Sequence, residues 1–288
     1  MDKQESPLFK IDPPYHFVKG DSPVLVSIPH AGLSLLPEMT NALSEEAKSL
    51  PDTDWYVPEL YDFLPQLSVS VISANYSRYV IDLNRPEDDK PLYNSKTTGL
   101  FPDILFSEQP IFLKDGQHSE SRKDQIKNEI WQPYHQKIAT ELARIKAKFG
   151  YAILLDAHSI AAQVPMLFDG KLPDFNFGNN DGTSCSTKLL TCADKVVATS
   201  HYSHVCNGRF KGGHITRFFG QPDQNIHAMQ LELSQSTYLK SGLKGYQIDI
   251  AKKQTISPLL KQMITALIDT GTKMYSQEKR KINEVDDE

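Results

Sequence analysis

VLVSIPH at 24–30 and YAILLDAH at 151–158 are short apolar runs that each end in a histidine. Runs of this length, bounded by turn signals such as Pro29, suit buried strands. MQLEL at 229–233 is a third run of the kind. Between the first two, Ile126, Ile130, Tyr134, Ile138, Leu142 and Ile145 mark one face of a helix over 119–149, and Gly150 ends it. Leu43–Leu50 reads as a helix, as does the segment from Pro58, which has Glu59 in its first turn. Residues 69–83 read as two strands or one bent strand. Leu189, Leu190, Val196 and Val197 fit a helix followed by a strand, and 259–274 a closing helix. Short apolar strands alternating with helices predict an α/β fold, with a mostly parallel or mixed sheet covered by helices on both faces. The expected organisation is a polar lead-in at 1–22, one α/β domain at 23–276 and a solvated tail at 277–288. The loop at 86–117, rich in Pro, Asp, Asn and Gly, is long enough to suggest a functional role such as a lid.

The length of 288 residues gives a core that needs no staples. Its 31 basic and 36 acidic residues, net −5, argue against non-specific nucleic-acid binding, which needs clustered Lys and Arg. Three cysteines without a CxxC pair exclude a disulfide framework and suit a reducing compartment. No run approaches the roughly 18 apolar residues of a membrane-spanning helix. The polar first residues, MDKQES, lack the basic start and apolar run of a secretory signal. The expectation is a cytoplasmic protein with a small-molecule substrate and neither nucleic acid nor membrane as partner. A homo-oligomer stays open.

In open α/β sheets ligands gather at the carboxyl ends of strands. His30 and His158, each delivered there by a different strand, are placed to share a metal ion. The alternative is that each fills a polar pocket. The run Asp52-Thr53-Asp54 offers a carboxylate as third ligand, the usual number for catalytic zinc, or a cap for the following helix. Spacing does not choose between the two acids. Asp156, two residues before His158, is placed to orient that imidazole. Arg78, Asn84 and Arg85 form a compact run, and arginine's planar fork matches a carboxylate. Its bland reading is an internal ion pair such as Arg85 with Asp82. Arg209, His214 and Arg217 form a second basic cluster threaded with glycines, which reads otherwise as a solvated loop. Glu232 sits inside an apolar strand, where an ionised carboxylate is unfavourable unless paired or functional. Burial would raise its pKa toward a value useful for proton transfer. No GxSxG elbow, Walker loop or GxGxxG occurs, so serine catalysis (with Ser159, for example) and nucleotide binding lack support.

The segments IPHAG at 28–32, LPDTDW at 50–55, SRYVIDLNRPEDDKPLY at 77–93, TTGLFP at 97–102, LLDAHSI at 154–160, LFDGKLPDFNFG at 167–178, NGRFKGGHITRFFG at 207–220 and HAMQLELSQSTYL at 227–239 resemble the N-formylglutamate deformylase (N-formylglutamate amidohydrolase) family. The resemblance covers about 20–270. It implies a fold related to the zinc carboxypeptidases and the aspartoacylase/succinylglutamate desuccinylase group. It also implies hydrolysis of N-formyl-L-glutamate to glutamate and formate, the last step of histidine degradation. In that group an Arg like Arg78 polarises the scissile carbonyl, an Asn-Arg pair like Asn84-Arg85 holds a substrate carboxylate, and a strand Glu like Glu232 is catalytic. The wider fold carries an acidic ligand three residues after the first histidine, where this chain has Leu33. Asp54 takes that place in our reading, with Asp52 and Glu38 as alternatives. The expected site is one divalent ion, zinc for preference, on His30, Asp54 and His158. Glu232 and Arg78 are catalytic, and Asn84, Arg85, Arg209, His214 and Arg217 bind substrate. The rival readings are a deacylase of another N-acyl amino acid and a non-catalytic anion-binding protein of the same fold.

Overall fold

In the computed structural model, residues 12–91, 97–114, 116–241 and 245–286 are described, with side chains through 276. Seven strands form one sheet: β1 (Tyr15–Val18), β2 (Val24–Ile28), β3 (Ser70–Ala74), β4 (Ala152–Ile160), β5 (Phe175–Gly178), β6 (His204–Cys206) and β7 (Ile226–Ser234). Their order is β1-β3-β2-β4-β7-β5-β6. The inner strands β3, β2, β4 and β7 run parallel, whereas β1 is antiparallel to β3 and β5 to β7. The sheet is therefore mixed. The α-helices are α1 (Val57–Leu60), α2 (Glu120–Ile126), α3 (Gln132–Phe149), α4 (Thr187–Ala198), α5 (His214–Phe219) and α6 (Ile250–Asp286).

Alternation along the inner strands builds two apolar layers. Val24, Val26, Ile153, Leu155, Met229 and Leu231 point to one face, where they pack with residues of α1, α4 and α6. Leu25, Leu154 and Ala228 point to the other, beneath Tyr134, Ile138 and Leu142 of α3. On this second face the strands change character halfway. Leu25 gives way to Ser27, Leu154 to Asp156 and His158, and Ala228 to Gln230 and Glu232, all of them buried. In register, Ser27 pairs with Asp156, Asp156 with Gln230 and His158 with Glu232. A polar patch thus occupies the carboxyl-terminal half of one sheet face.

The helical run at 119–149 is continuous but contains a π turn at Lys127–Trp131. Such turns insert an extra residue and often lie at functional sites. Here Trp131 lands against the site segment, its Nε1 donating to the Arg85 carbonyl at 3.0 Å. Ser119 caps α2 by accepting from the Arg122 N–H, and Gly150, at φ 86°, ends α3 in a conformation that favours glycine.

Several expectations are corrected. The lead-in supplies an edge strand, β1. Residues 43–50 hold only a 3₁₀ turn at Ala47–Ser49, and the segment after Pro58 splits into α1 and a 3₁₀ turn at Leu64–Leu67. Only Ser70–Ala74 of 69–83 is strand, because 77–85 folds into turns around buried charges. Residues 189–197 lie within the single helix α4. His158 lies inside β4 rather than beyond it. Side chains of the expected solvated tail, and residues 92–96 and 115 of the expected lid loop, fall outside the described residues.

Candidate active site

His30 follows β2, His158 lies in β4, and Asp54 lies in the turn ahead of α1. The Asp54 N–H donates to the His30 carbonyl at 3.1 Å, which ties that turn to the strand end. All three side chains are buried, and their potential ligand atoms lie within 4.8 Å of one another, a group that could hold one metal ion. Asp82 Oδ1 lies 2.7 Å from His30 Nε2, and Asp156 Oδ2 lies 2.8 Å from His158 Nε2. An ionised carboxylate only accepts, so these contacts put a proton on each Nε2 and make Nδ1 the atom that can ligate a metal once it is deprotonated. The Nδ1 atoms face Asp54 Oδ2, at 3.9 Å for His30 and 3.2 Å for His158. Two imidazoles and a carboxylate match the three-ligand set of a catalytic zinc site, each imidazole braced from behind by an acid.

The other two acids point elsewhere. Asp52 Oδ2 accepts the Phe106 N–H at 3.1 Å, which braces two loops. Glu38 is on the surface and accepts from Arg122 Nε at 2.6 Å. Nor does Asp54 cap α1, whose N-cap position is Tyr56; its Oδ2 instead accepts the Ser159 N–H at 3.1 Å.

Asp82 joins two halves of the site. Its Oδ1 meets His30 and accepts the Asn84 N–H at 2.9 Å, while its Oδ2 accepts from Arg78 Nη2 at 2.7 Å. Burial opposes its charge, but His30 and Arg78 prevail and hold the carboxyl well below its ordinary range. The same balance lifts His158: burial disfavours the imidazolium, and Asp156 and Asp54 outweigh it. His30 is pulled down by burial and by Arg78. Burial pushes the Glu232 carboxyl up to about 8.

Arg78, Asn84, Arg85, Arg209 and Glu232 line one cavity with the His-Asp-His group. Arg78 lies against the Phe106 ring, 4.9 Å from its centroid. Arg85 donates from Nη2 to Thr97 Oγ1, while its buried Nε has no hydrogen-bond partner among the described residues. The Asn84 amide is held through Oδ1, which accepts the Ile215 N–H at 2.9 Å, and its Nδ2 lies beside the His158 ring. Two residues expected to bind substrate do not line the cavity. His214 packs at tilted angles among Trp131, His135 and Phe218, and Arg217 Nε donates to the Gly212 carbonyl at 2.8 Å. Both hold the glycine loop in place from behind. The sequence reading gave Asp82 only as an ion-pair partner and passed over Gln230. The signal for both was available: polar residues at buried positions beside other charged ones.

A family model described as N-formylglutamate amidohydrolase matches residues 22–239. The chain is 49% identical over 262 residues to an N-formylglutamate deformylase of Pseudomonas aeruginosa, covering 90% of this chain and 98% of that protein. A Pseudomonas putida protein of the same name is 50% identical over 263 residues, with 91% and 98% covered. Among solved structures, an N-formylglutamate amidohydrolase from Ralstonia eutropha JMP134 superposes with a TM-score of 0.73 at 20% identity, covering 93% of this chain and 99% of that one. A gene product from Agrobacterium tumefaciens gives 0.69 at 15% identity, with 89% and 95% covered. These two likenesses concern the fold. The matched motifs, the coverage and the identity to the two Pseudomonas proteins agree: the chain belongs to the N-formylglutamate amidohydrolase family.

Proposed function

We propose that this chain hydrolyses the formyl amide of N-formyl-L-glutamate to glutamate and formate, with one zinc ion held by His30, Asp54 and His158. The observation that carries this reading is the cavity itself. It brings together a buried His-Asp-His group, a strand carboxylate and Arg85, whose buried Nε is 4.0 Å from Asp82 Oδ2 but makes no hydrogen bond among the described residues. The names of the two Pseudomonas relatives supply the substrate. When bound, zinc lowers the pKa of a water and polarises the formyl oxygen.

Glu232 stands beside His158 in register, and its side-chain carboxylate lines the cavity. It is the general base: it takes the water proton and delivers it to the departing glutamate nitrogen. Arg78, fixed by Asp82, stabilises the negative oxygen that develops on the formyl carbon. Arg85 Nε takes a glutamate carboxylate, and Asn84 holds the strand end and loop around it. Arg209 brings a third arginine to the cavity wall. We place the reaction at the end of histidine degradation in the cytoplasm, carried by the α/β unit together with its edge strand β1.

The test is elemental analysis of protein purified without chelator, beside an assay of formate release. About one zinc per chain and release from N-formylglutamate in preference to its acetyl and succinyl analogues is the expected result. Full activity without stoichiometric metal refutes the zinc assignment, and a preference for a larger acyl group refutes the substrate.

A further inference from the structure

Gln230 lies on the same face of β7 as Glu232, two residues earlier, and has no part in the steps above. It is only 3% exposed and lines the cavity. Its Oε1 accepts the Gly213 N–H at 2.8 Å. A backbone N–H can only donate, so this bond fixes the amide with oxygen toward Gly213 and nitrogen away from it. Gly213 lies so close to the Asn84 amide that a Cβ there would clash with it. Nε2 donates to no protein group among the described residues. Gln230 lines the cavity, so a ligand there can supply an acceptor for Nε2.

We infer that Gln230 Nε2 donates to the side-chain carboxylate of the glutamyl leaving group and so sets the length of substrate the site accepts. This rests on reading the cavity as a deformylase site. The spacing selects the carboxylate. Residues i and i+2 of a strand stand about 6.6 Å apart. Five bonds of about 1.5 Å separate the formyl carbon from the side-chain carboxyl carbon, about 6 Å when extended. Only three bonds, about 4 Å, lead to the α-carboxyl carbon. With the formyl carbon beside Glu232, the side-chain carboxylate reaches the level of Gln230 and the α-carboxylate does not. An aspartyl substrate falls short by about one bond projection, roughly 1.3 Å. Glutamine suits this position because it meets both a backbone donor and an anion. A glutamate here would keep the Gly213 bond but turn an acceptor toward the substrate carboxylate.

The experiment compares kcat/KM of wild type, Gln230→Glu and Gln230→Met on N-formylglutamate, N-formylglutamine and N-formylnorvaline, with metal content measured for each. Gln230→Glu should lose about ten- to a hundredfold on N-formylglutamate, mostly through KM. On N-formylglutamine, whose side-chain amide can donate, it should lose less than about threefold, so the preference between the two substrates narrows or reverses. Gln230→Met keeps the length and loses both bonds. It should lose about tenfold or more on N-formylglutamate and far less on N-formylnorvaline, which has no side-chain carboxylate. Metal content should match wild type throughout. Equal losses on all substrates, or no loss, would make Gln230 a loop support and overturn this inference while leaving the deformylase reading intact. A wild-type protein that releases no formate from N-formylglutamate overturns both.

Discussion

His158 and Glu232 are direct partners across the β4–β7 ladder, so a ligating imidazole and the proposed base share one rung of a central sheet. Side chains at opposed positions of neighbouring strands stand about 5 Å apart, and their relative placement is set by backbone hydrogen bonds rather than by a loop. Glu232 Cα also opposes Asn176 of β5, whose Nδ2 donates to the Glu232 carbonyl at 3.1 Å. The base is therefore held from both sides.

That arrangement predicts two separable failures. Glu232→Gln keeps size and polarity but cannot take the water proton. It should retain metal and substrate binding and lose about 10²–10⁴-fold in kcat, with kcat/KM falling in parallel. His158→Ala removes a ligand, so metal occupancy falls first and excess zinc restores part of the activity. Metal analysis and steady-state kinetics with and without added zinc distinguish them. A metal-free Glu232→Gln protein would make Glu232 a ligand.

The acids around the histidines should separate cleanly. Asp54→Asn should abolish tight zinc binding, and Asp52→Asn should leave it at the wild-type level, since Asp52 faces the Phe106 N–H. Asp82→Asn should weaken zinc binding about 10–100-fold by loosening the His30 tautomer. Chelator competition measures all three. A loss in Asp52→Asn equal to that in Asp54→Asn would reverse the ligand assignment.

Arg85→Lys should lower kcat/KM for N-formylglutamate by about ten- to a hundredfold, the effect of losing a charge-assisted hydrogen bond of about 1.5–3 kcal/mol. Lysine keeps the charge but not the planar fork whose Nε makes no hydrogen bond among the described residues. The thermal midpoint should stay within a few degrees of wild type. An unfolded variant with unchanged specific activity in its folded fraction would make Arg85 a structural ion-pair residue.

Three histidines away from the ligand set should govern mild-acid stability. Burial lowers His135 to about 3 and His214 and His227 to about 4. Their unfolded-state value is about 6.5. Below that pH the unfolded chain takes up protons that the folded chain refuses, so stability falls with pH. Their contribution is complete above about pH 6.5, declines toward about pH 4, and for His135 to about pH 3. Urea unfolding at pH 7 and pH 5 should show a clear drop in midpoint. His227→Gln, which can still meet the Tyr275 hydroxyl, should make that drop smaller. An unchanged midpoint between the two pH values would contradict the assignment.

The legible parts of the sequence were those where a single periodicity ran unbroken. The α3 stripe from Tyr134 to Ile145 and the apolar openings of β2, β4 and β7 belong here. Strand β4 was read short because only one of its faces turns polar. Ile153, Leu155 and Ala157 stay apolar while Asp156 and His158 do not, and a window that averages both faces sees the strand ending. The run Tyr79 to Leu83 has strand composition yet folds as turns, since Arg78 and Asp82 must meet each other and His30. That is a tertiary demand that overrides local preference. His214 and Arg217 looked like anion binders because composition shows charge without direction. Trp131, distant in sequence, and the Gly212 carbonyl, just ahead of α5, decide where they point.

The change from apolar to polar halfway along one sheet face has a bearing on heat resistance. Many enzymes lose activity below their melting temperature because the loops bearing their reactive groups open independently. Here His158, Gln230 and Glu232 are rungs of the same ladder whose other rungs fill the core. Displacing them means breaking the central sheet. Heat inactivation that precedes global unfolding should therefore begin in the turns that carry Asp54, Arg78 and Arg85, with the β4–β7 rungs still protected from hydrogen exchange.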